Sequence, residues 1–559
     1  MRLRQWHYGV ARLCSPVTDW RGATPPAIAV IGAWLSLAIV IDVDTALAAT
    51  AAAGSPEQTL SSTGGKLTFD ILEYEIEGNT VLPPIAIERA VYPYLGPNRS
   101  AESVEDARRA LERAYQTAGY LTVVVDVPEQ QVKDGVVRLR VTEGRVEQLR
   151  VSDNRYYSRS EIRASVPGLA PGVVPNFPQV QKQLAALSTS PDRKITPVLK
   201  PGTETGTVDV DLKVEDKLPL HGGVELNNRQ SPNTTPLRFV ANLRYDNLWQ
   251  EGHGIGATVQ TAPQEPSKLQ VFAATYVAPV SENLTLVGYG VYSNSDVAAI
   301  GGTDVVGNGT IWGIRAIMPL PAKDASSQSV SLGFDYKDFK DSVHVEGADS
   351  IETPITYGLL SAQYRATFPE GTRKHDASVS LNFAPRGVFG NNDSEFDDKR
   401  FQATASFAYL RGDWKTEQPL SAGFALLGRL QFQVSSGPLI SNEQFTAGGV
   451  DSVRGYLEAE ELGDNGVVAG LELRGPRLLY AQAIQDFFPF AFVEGGVLHI
   501  LQPLPGQTSK FSLSSAGLGL RLRAYGGFNA AIDVALPFEN GPVTQAGHAR
   551  VNFMVAYEF

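Results

Sequence analysis

Thiols are almost missing from this sequence, which has one cysteine, Cys14, among 559 residues. Methionine and histidine are also scarce, at three and seven residues. The histidines show no spacing typical of metal ligands, and the motifs H-E-x-x-H, G-x-S-x-G and G-x-x-x-x-G-K-[ST] do not occur. We therefore expect no disulfide, no metal site, no cofactor and no enzymatic activity.

Charge and long apolar runs are also limited. Charged residues make up 19% of the chain, whereas soluble proteins have about a quarter. The net charge of −12 argues against nucleic acid as the main partner. A mean hydropathy of −0.11 argues against a helical membrane protein. The 53 glycines, 24 phenylalanines and 20 tyrosines instead favour many short strands.

The first 48 residues have the pattern of a secretory signal peptide. Arginines precede the uncharged segment 27–41, and the cleavage pattern Ala46-Leu47-Ala48 follows it. The alternative is a membrane anchor, but these fifteen residues are fewer than the roughly 20 that span a bilayer. We expect cleavage after Ala48, which removes Cys14, and then a short flexible lead over residues 49–68.

One pattern of short strands and helices then occurs twice, with a period of roughly 75 residues. The first copy is predicted to contain a strand, two helices and two strands, at 74–77, 85–95, 104–118, 121–127 and 136–141. A capping box at Ser103 predicts the start of its second helix. The second copy repeats this order at 150–151, 160–165, 177–187, 195–199 and 207–214. Such small sheets leave an edge that can accept another strand.

Short segments in both copies resemble a known domain. The first copy contains I-E-G-N-T (76–80), G-Y-L-T (119–122) and V-P-E-Q (127–130), and the second contains L-K-P-G (199–202). These segments are similar to the two POTRA domains of the two-partner-secretion (TpsB) transporters, the ShlB/FhaC/HecB haemolysin secretion and activation proteins. The resemblance implies POTRA 1 over residues 69–149 and POTRA 2 over 150–217.

Residues 218–559 alternate apolar and polar side chains in segments of 9–13 residues. The terminal segment places Val551, Phe553, Val555, Tyr557 and Phe559 on one face, and residues 401–409 alternate similarly. A soluble sandwich would also alternate, but the signal peptide and strand lengths near ten favour a transmembrane barrel. At roughly twenty residues per strand, this region predicts sixteen strands. Tyr557 and Phe559 resemble the carboxy-terminal signal by which barrel-assembly machinery recognises outer-membrane barrels.

The tetrapeptide Val453-Arg454-Gly455-Tyr456 lies in a long interval, about 435–466, which five predicted strands follow. In the Omp85 superfamily the sixth extracellular loop folds into the lumen and carries a VRGY or VRGF motif. The family pairs its arginine with an aspartate in F-x-D-x-G on the thirteenth strand. The matching residues here are Phe492, Glu494 and Gly496, so glutamate replaces aspartate. A lumenal arginine needs such a partner, because an unpaired buried charge is costly.

The resemblance implies a translocator in the bacterial outer membrane, with its POTRA domains in the periplasm. It would export an unfolded, TpsA-like partner exoprotein, haemolysin-like or adhesin-like, without ATP. We expect a monomer surrounded by outer-membrane lipid. POTRA 1 would capture the exoprotein by strand addition at a surface that includes Tyr115, Tyr120, Leu121, Val123 and Val125.

Two other functions fit a barrel of this kind. One is a BamA/TamA-like insertase of outer-membrane proteins. The other is a diffusion porin, but in a porin the two POTRA-like modules would have no function. The short lead predicts that no plug helix enters the pore. The paired acids Glu460 and Glu461 are interpreted as solvated loop residues.

Overall fold

The computed structural model describes residues 68–188, 190–232, 234–295, 297–300, 303–321, 325–343 and 351–559. The predicted signal peptide, the lead up to residue 67 and the expectation of no plug helix lie outside the described residues. Within these described ranges, no helix combines the length and the apolar character needed to cross a membrane.

The first module is a three-stranded sheet with two helices packed on it. Its elements are β1 (Thr68–Ile71), β2 (Glu73–Glu77), α1 (Pro84–Val91), β3 (Gly96–Ser100), α2 (Ala101–Thr117), β4 (Val123–Asp126) and β5 (Val136–Glu143). The sheet has the order β2-β5-β4, with β2 parallel and β4 antiparallel to β5, and β1 pairs with β3. Ala107, Leu111 and Tyr115 of α2 are fully buried against this sheet, as their helical spacing predicts.

The predicted start of α2 is wrong by a few residues. The helix begins at Ala101, directly after the extended Ser100, so Ser103 lies inside it and does not cap it. The strand β3 leads straight into the helix, and Glu102 in the first turn suits the positive end of the helix dipole. The helix ends at Thr117, and Gly119 takes the positive φ of 94° that turns the chain toward β4.

The second module repeats the plan of the first with a smaller core. It consists of β6 (Arg145–Ser152), α3 (Arg159–Ala164), α4 (Phe177–Leu187), β7 (Arg193–Pro201) and β8 (Thr207–Asp216). The sheet order is β6-β8-β7, again with one parallel and one antiparallel pair. Side chains of Ser158 and Asn176 accept backbone hydrogen bonds at the starts of α3 and α4. The predicted tandem repeat of α/β modules is therefore confirmed.

Sixteen antiparallel strands close into a barrel, which confirms the predicted number for the described chain. In order around the wall they are β9 (Leu220–Asn227), β10 (Arg238–Leu248), β11 (His253–Thr261), β12 (Gln270–Ser281), β13 (Leu284–Ser293), β16 (Gly309–Leu320), β17 (Ser327–Val343), β18 (Ile351–Glu370), β19 (Arg373–Ala384), β20 (Phe407–Pro419), β21 (Ala425–Ser435), β24 (Asn465–Arg474), β25 (Ile484–His499), β26 (Lys510–Ala524), β27 (Phe528–Pro537) and β28 (Arg550–Glu558). Further elements lie in the loops, namely the ribbon of β14 (Val297–Ile300) and β15 (Thr303–Val306), helix α5 (Asp393–Lys399), and the ribbon of β22 (Phe445–Ala447) and β23 (Glu461–Gly463).

The two faces of the barrel wall differ as the alternation predicts. Leu471, Val493 and Leu518 on β24, β25 and β26 are about half or more exposed on the outside of the wall. The neighbouring Glu472 and Glu494 are buried in the lumen. An apolar outer face and a polar interior are typical of a transmembrane barrel.

The barrel closes between its last and first strands. Five residue pairs join β28 to β9, from Met554 opposite Asn227 to Glu558 opposite Gly223. The terminal Phe559 extends this seam through two backbone hydrogen bonds with Gly222, at 3.0 and 3.2 Å. A Cβ atom on Gly222 would lie 2.6 Å from the Phe559 ring, so the ring covers this glycine.

Residues 401–406 are not part of a strand, contrary to the prediction from their alternation. Strand β20 starts only at Phe407, because Gln402 has a positive φ of 58° that interrupts extended backbone. Ala403 and Ala405 are buried with Phe396 of α5, in a cluster that also contains side chains of the barrel wall. Residues 385–406, which we call loop 5, therefore fold against the inside of the barrel. The seven residues of α5 are too few to give a visible helical period.

The second module is fastened to the first barrel strands. Gln250, in the turn between β10 and β11, accepts a hydrogen bond from the Ser158 backbone N–H at 2.8 Å and donates one to the Tyr156 carbonyl at 3.0 Å. The Nε2 atom of His221, in β9, lies 2.8 Å from Oδ2 of Asp192, which is a buried carboxylate of the second module. These contacts fix the module to the barrel end at which β9 begins.

Deleting Phe559 is expected to weaken the seam. The deletion removes two backbone hydrogen bonds, each of which contributes about 0.5–1.5 kcal/mol, and the ring packed on Gly222. We expect the barrel to unfold at a lower temperature, measured by its heat-modifiable migration in gels. Val551→Ala is the control, because Val551 lies on the same outer face but pairs with β27. Equal unfolding temperatures for the deletion and the wild type would contradict this prediction.

Candidate functional site in the barrel lumen

Residues 436–464 connect β21 to β24, and we call them loop 6. Counting from β9, these are the eleventh and twelfth barrel strands, so this is the sixth loop at the barrel end away from the modules. The loop lies inside the barrel, since Val453 and Tyr456 are almost completely buried and pack with Val468, Leu498 and Leu513 of the wall.

Arg454, near the tip of loop 6, forms hydrogen bonds with two carboxylates of the wall. Its Nε and Nη2 atoms donate to Oε1 of Glu494 at 2.9 and 2.5 Å, and its backbone N–H donates to Oε2 at 2.7 Å. Its Nη1 atom donates to Glu472 at 3.0 Å. The structure thus brings Arg454 and Glu494 together, although both guanidinium contacts use one carboxylate oxygen. Burial lowers the pKa of Arg454, but the hydrogen bond and charge of Glu494 outweigh it, so the pKa is raised.

Two further arginines complete this charge cluster. Arg429 of β21 donates to Glu494 at 2.6 Å and also contacts the backbone carbonyl of Ser452 in loop 6. Arg521 of β26 donates to both oxygens of Glu472. The carboxylates, which are almost fully buried, are therefore each shared between two arginines. Neither buried carboxylate is therefore left without a counter-charge, which would be costly.

Aromatic rings from β25 support the arginine. The guanidinium carbon of Arg454 lies 3.5 Å from the ring centre of Phe492 and 5.5 Å from that of Phe490. A cation over an aromatic face contributes about 0.5–2 kcal/mol, more where water is excluded. Phe492 and Glu494 point to the same side of β25, so the F-x-E spacing presents a ring and a carboxylate to one guanidinium.

The two motif glycines have different structural roles. Gly455 has a positive φ of 97°, a conformation that lets the chain turn between Arg454 and Tyr456. Gly496 leaves room for the neighbouring strand, since a Cβ there would lie 2.7 Å from Val468 Cγ2. Tyr456 donates a hydrogen bond to the Glu539 carbonyl at 2.9 Å, next to the end of β27. Val453, Arg454 and Tyr456 of the loop 6 motif therefore all contact the barrel wall.

The acidic pair in loop 6 is buried, so its interpretation as solvated residues is wrong. Glu460 accepts hydrogen bonds from Leu457, Val543 and Thr544, and so ties loop 6 to the last loop of the barrel. Burial, and then the charge of Glu460, raises the pKa of Glu461 to about 7. Two adjacent carboxylates are usually exposed, and only the fold brings hydrogen-bond donors to Glu460.

Several residues of the site had no signal in the sequence. Glu472 and Arg429 are ordinary polar positions of alternating strands, and only strand pairing aligns them around Arg454. The alternation of residues 518–523 does predict that Arg521 faces the lumen, but not that it binds Glu472. A cavity of about 410 Å³ lies beside this cluster. Its lining includes the charged side chains Arg229, Lys374, Asp376, Lys415, Glu417, Arg429, Arg454, Glu472, Glu494, Arg521 and Asp533. The lumen is thus a charged space that loop 6 partly fills.

The residues predicted to capture an exoprotein are only partly accessible. Tyr115, Val123 and Val125 are buried in the core of the first module, so their side chains cannot contact a ligand there. Leu121 is 51% exposed, and Tyr120 is partly buried. Strand β4 is nevertheless an edge strand, since β5 is its only partner among the described strands. The backbone of this edge is therefore the part of the predicted surface that can receive another strand.

A closed sixteen-stranded barrel with a lumenal loop 6 and tandem amino-terminal α/β modules defines an outer-membrane transporter of the POTRA–barrel type. The chain belongs to the haemolysin secretion/activation protein family ShlB/FhaC/HecB, whose model matches residues 206–522. A second model, the ShlB-type POTRA domain, matches residues 69–144. The protein is thus a TpsB transporter of the bacterial outer membrane, with its POTRA domains in the periplasm. Transporters of this family act with TpsA-like exoproteins.

Individual relatives are distant but similar over most of the chain. The outer membrane transporter CdiB of Dickeya dadantii (strain 3937) is 23% identical over 439 residues, 71% of each chain. The heme/hemopexin transporter protein HuxB of Haemophilus influenzae is 19% identical over 475 residues, 80% of this chain and 79% of HuxB. Both are transporters rather than enzymes.

Solved structures share the fold. CdiB from Escherichia coli has a TM-score of 0.61 at 19% identity, with coverage of 90% of this chain and 93% of that one. BamA from Haemophilus ducreyi lacking POTRA domains 1–3 has a TM-score of 0.53 at 14% identity, with coverage of 88% and 100%. At these identities the likeness shows the architecture alone.

Replacing Glu494 by glutamine is expected to destabilise loop 6 strongly. Glutamine leaves Arg454 and Arg429 without their shared counter-charge, and breaking one partner of a buried ion pair costs about 3–5 kcal/mol. We expect a lower unfolding temperature and faster proteolysis within loop 6. The control is Glu417→Gln, because that lumenal carboxylate is 40% exposed and forms an ion pair with Arg474. Equal effects of the two substitutions would refute the special role of Glu494.

Proposed function

We propose that this protein exports an unfolded partner exoprotein from the periplasm to the cell surface. The observation that supports this most is the position of loop 6, which occupies the lumen yet is held there by side-chain contacts that can break. A loop that blocked the pore permanently would not require contacts that can break. The charged lumen beside the loop offers a polar path for an extended chain once the loop moves.

The energy for export would come from the exoprotein itself. The sequence has no phosphate-binding G-x-x-x-x-G-K-[ST] motif, and we propose that folding of the exoprotein outside the cell makes transfer irreversible. The partner would be a large secreted haemolysin-like or adhesin-like protein. The barrel would act as a monomer in outer-membrane lipid, inserted by the barrel-assembly machinery.

We propose that capture takes place on the free edge of β4, in the first POTRA domain. Arg108 of α2 lies beside this edge and donates a hydrogen bond to the carbonyl of Val125 at 3.1 Å. Glu105 and Glu112 hold the guanidinium in place at 2.9 and 2.7 Å. An added strand would need that carbonyl as an acceptor, so Arg108 competes with the incoming chain.

A photo-crosslinking residue in place of Leu121 is expected to capture one large secreted protein in the native organism. Leu121 precedes the edge strand β4 and is half exposed. The matched control is Leu72, an exposed leucine beside β2 at the opposite edge of the sheet.

Arg108→Ala is expected to raise the crosslinking yield at position 121, because it frees the Val125 carbonyl. Arg109→Ala, on the exposed side of α2, is not expected to raise this yield. Equal yields at both edges would contradict capture on β4.

Replacing Arg454 by alanine is expected to leave a folded barrel but to reduce export at least about tenfold. The alanine removes the contacts that position the loop 6 tip on Glu494 and Glu472, so the tip of loop 6 no longer has a defined position. Export is measured as secreted partner protein relative to barrel abundance at the surface. Arg386→Ala serves as the control, since Arg386 is an exposed arginine of loop 5. Normal secretion at normal abundance would refute the role of Arg454.

The same cells distinguish export from membrane-protein insertion. An exporter defect lowers one secreted protein and leaves the other outer-membrane barrels at their normal abundance. A general loss of barrels in the Arg454→Ala strain would contradict export and would indicate a BamA/TamA-like insertase. The shared fold with BamA does not favour either function.

A further inference from the structure

Glu443 is another buried carboxylate of loop 6, and it lies against a different part of the wall from the Arg454 cluster. Its side chain is 2% exposed and accepts three side-chain hydrogen bonds. Lys337 Nζ and Tyr357 Oη lie 2.5 Å from Oε1, and Tyr409 Oη lies 2.7 Å from Oε2. These donors belong to β17, β18 and β20, whereas Arg454 is bound by β24 and β25. One loop is thus tied to two separate sectors of the barrel.

The surroundings of Glu443 make these contacts strong. Tyr357 and Tyr409 are buried in a cluster with Phe339, Phe396 and Phe407, which excludes water from the carboxylate. In such a low-dielectric site the attraction between Glu443 and the Lys337 ammonium is weakly screened. Leaving either charge alone there would be costly, so the closed loop is favoured as long as the set is intact.

Backbone contacts extend this anchorage to both ends of loop 6. Gln433 of β21 donates to the backbone carbonyls of Glu443 at 3.1 Å and Asp464 at 3.2 Å. The buried Asp464 carboxylate accepts a hydrogen bond from the Leu439 backbone N–H at 2.8 Å. Its Oδ2 atom lies 3.4 Å from Nη2 of Arg400 in loop 5. The start and end of loop 6 are therefore joined to each other and to loop 5.

The same apolar cluster contains residues from both loops. Leu439 and Ile440 of loop 6 are fully buried with Phe396 and Ala405 of loop 5. Loop 5 is consequently packed on the part of loop 6 that Glu443 holds. Movement of the Arg454 tip alone would leave this packed region in place.

We propose that Glu443 is a second lock of loop 6, and that the pore opens only when the contacts of Glu443 and those of Arg454 are both broken. Glu443 acts as a positioning residue, because it holds the loop and need not touch the exported chain. The inference rests on the proposed movement of loop 6, but the closed state can be measured without any exoprotein.

The test measures how often loop 6 leaves the lumen. Ala447 of β22 in loop 6 is fully buried, so a cysteine there reacts with maleimide only when the loop moves. Cys14→Ser removes the single natural cysteine from any chain that keeps its amino-terminal segment, and the barrel with both POTRA domains is labelled in liposomes. Glu443→Gln in this background is expected to raise the labelling rate about tenfold, which corresponds to about 1.4 kcal/mol. Glu443→Gln combined with Arg454→Ala should exceed either single change.

Two controls separate locking from general damage. Asp451→Asn changes an 82% exposed carboxylate of the same loop and should leave the labelling rate unchanged. Glu443→Asp keeps the charge and should restore part of the wild-type rate. If Glu443→Gln does not give a folded barrel, Tyr409→Phe removes one donor while it keeps the buried ring, and should raise the rate several-fold.

Labelling of a folded Glu443→Gln protein at the wild-type rate would overturn the second lock. Tenfold faster labelling of the Glu443→Gln protein in liposomes, together with no secreted partner protein from the wild-type strain, would instead contradict the proposed function and support the lock. The two proposals can therefore fail independently.

Discussion

The arrangement of the lumen depends on the neutralisation of Arg454. A guanidinium that is removed from bulk water must be surrounded by acceptors, and this requirement fixes the positions of several elements at once. Glu494 and Glu472 come from adjacent strands. Their negative charges also bind arginines from the next strand on either side, since Arg429 pairs with Glu494 and Arg521 pairs with Glu472. The tip of loop 6 has to lie where these groups converge, and Gly455 supplies the backbone turn that allows it.

The replacement of the family aspartate by Glu494 fits this geometry. Its longer side chain spreads its contacts over the guanidinium, the backbone N–H of Arg454 and a second arginine from β21. The carboxylate thus binds a segment of loop backbone as well as a side chain.

Much of this fold could be predicted from the sequence, because its patterns are local. Alternation over about ten residues predicts a strand correctly wherever the backbone stays extended, as in β27 and β28. The same prediction is wrong at residues 401–406, because Gln402 has a left-handed conformation that redirects the chain. The pairing of Arg454 with Glu494 was accessible because each lies in a recognisable motif. Glu443 and Glu460 were not, since their donors come from strands or loops as many as 106 residues away and carry no motif. The buried side chains of Val123 and Val125 show the same limit, because a strand pattern does not tell which face meets the helices.

The contacts of Gln250 and His221 join the second POTRA domain to β9 and to the β10–β11 turn. Strand β9 also forms one side of the seam with β28, and its five residue pairs there make this ladder the shortest between neighbouring strands of the described barrel. Other ladders in the wall contain eight to seventeen pairs. The second POTRA domain is therefore attached to the strand that forms the shortest ladder of the described barrel wall.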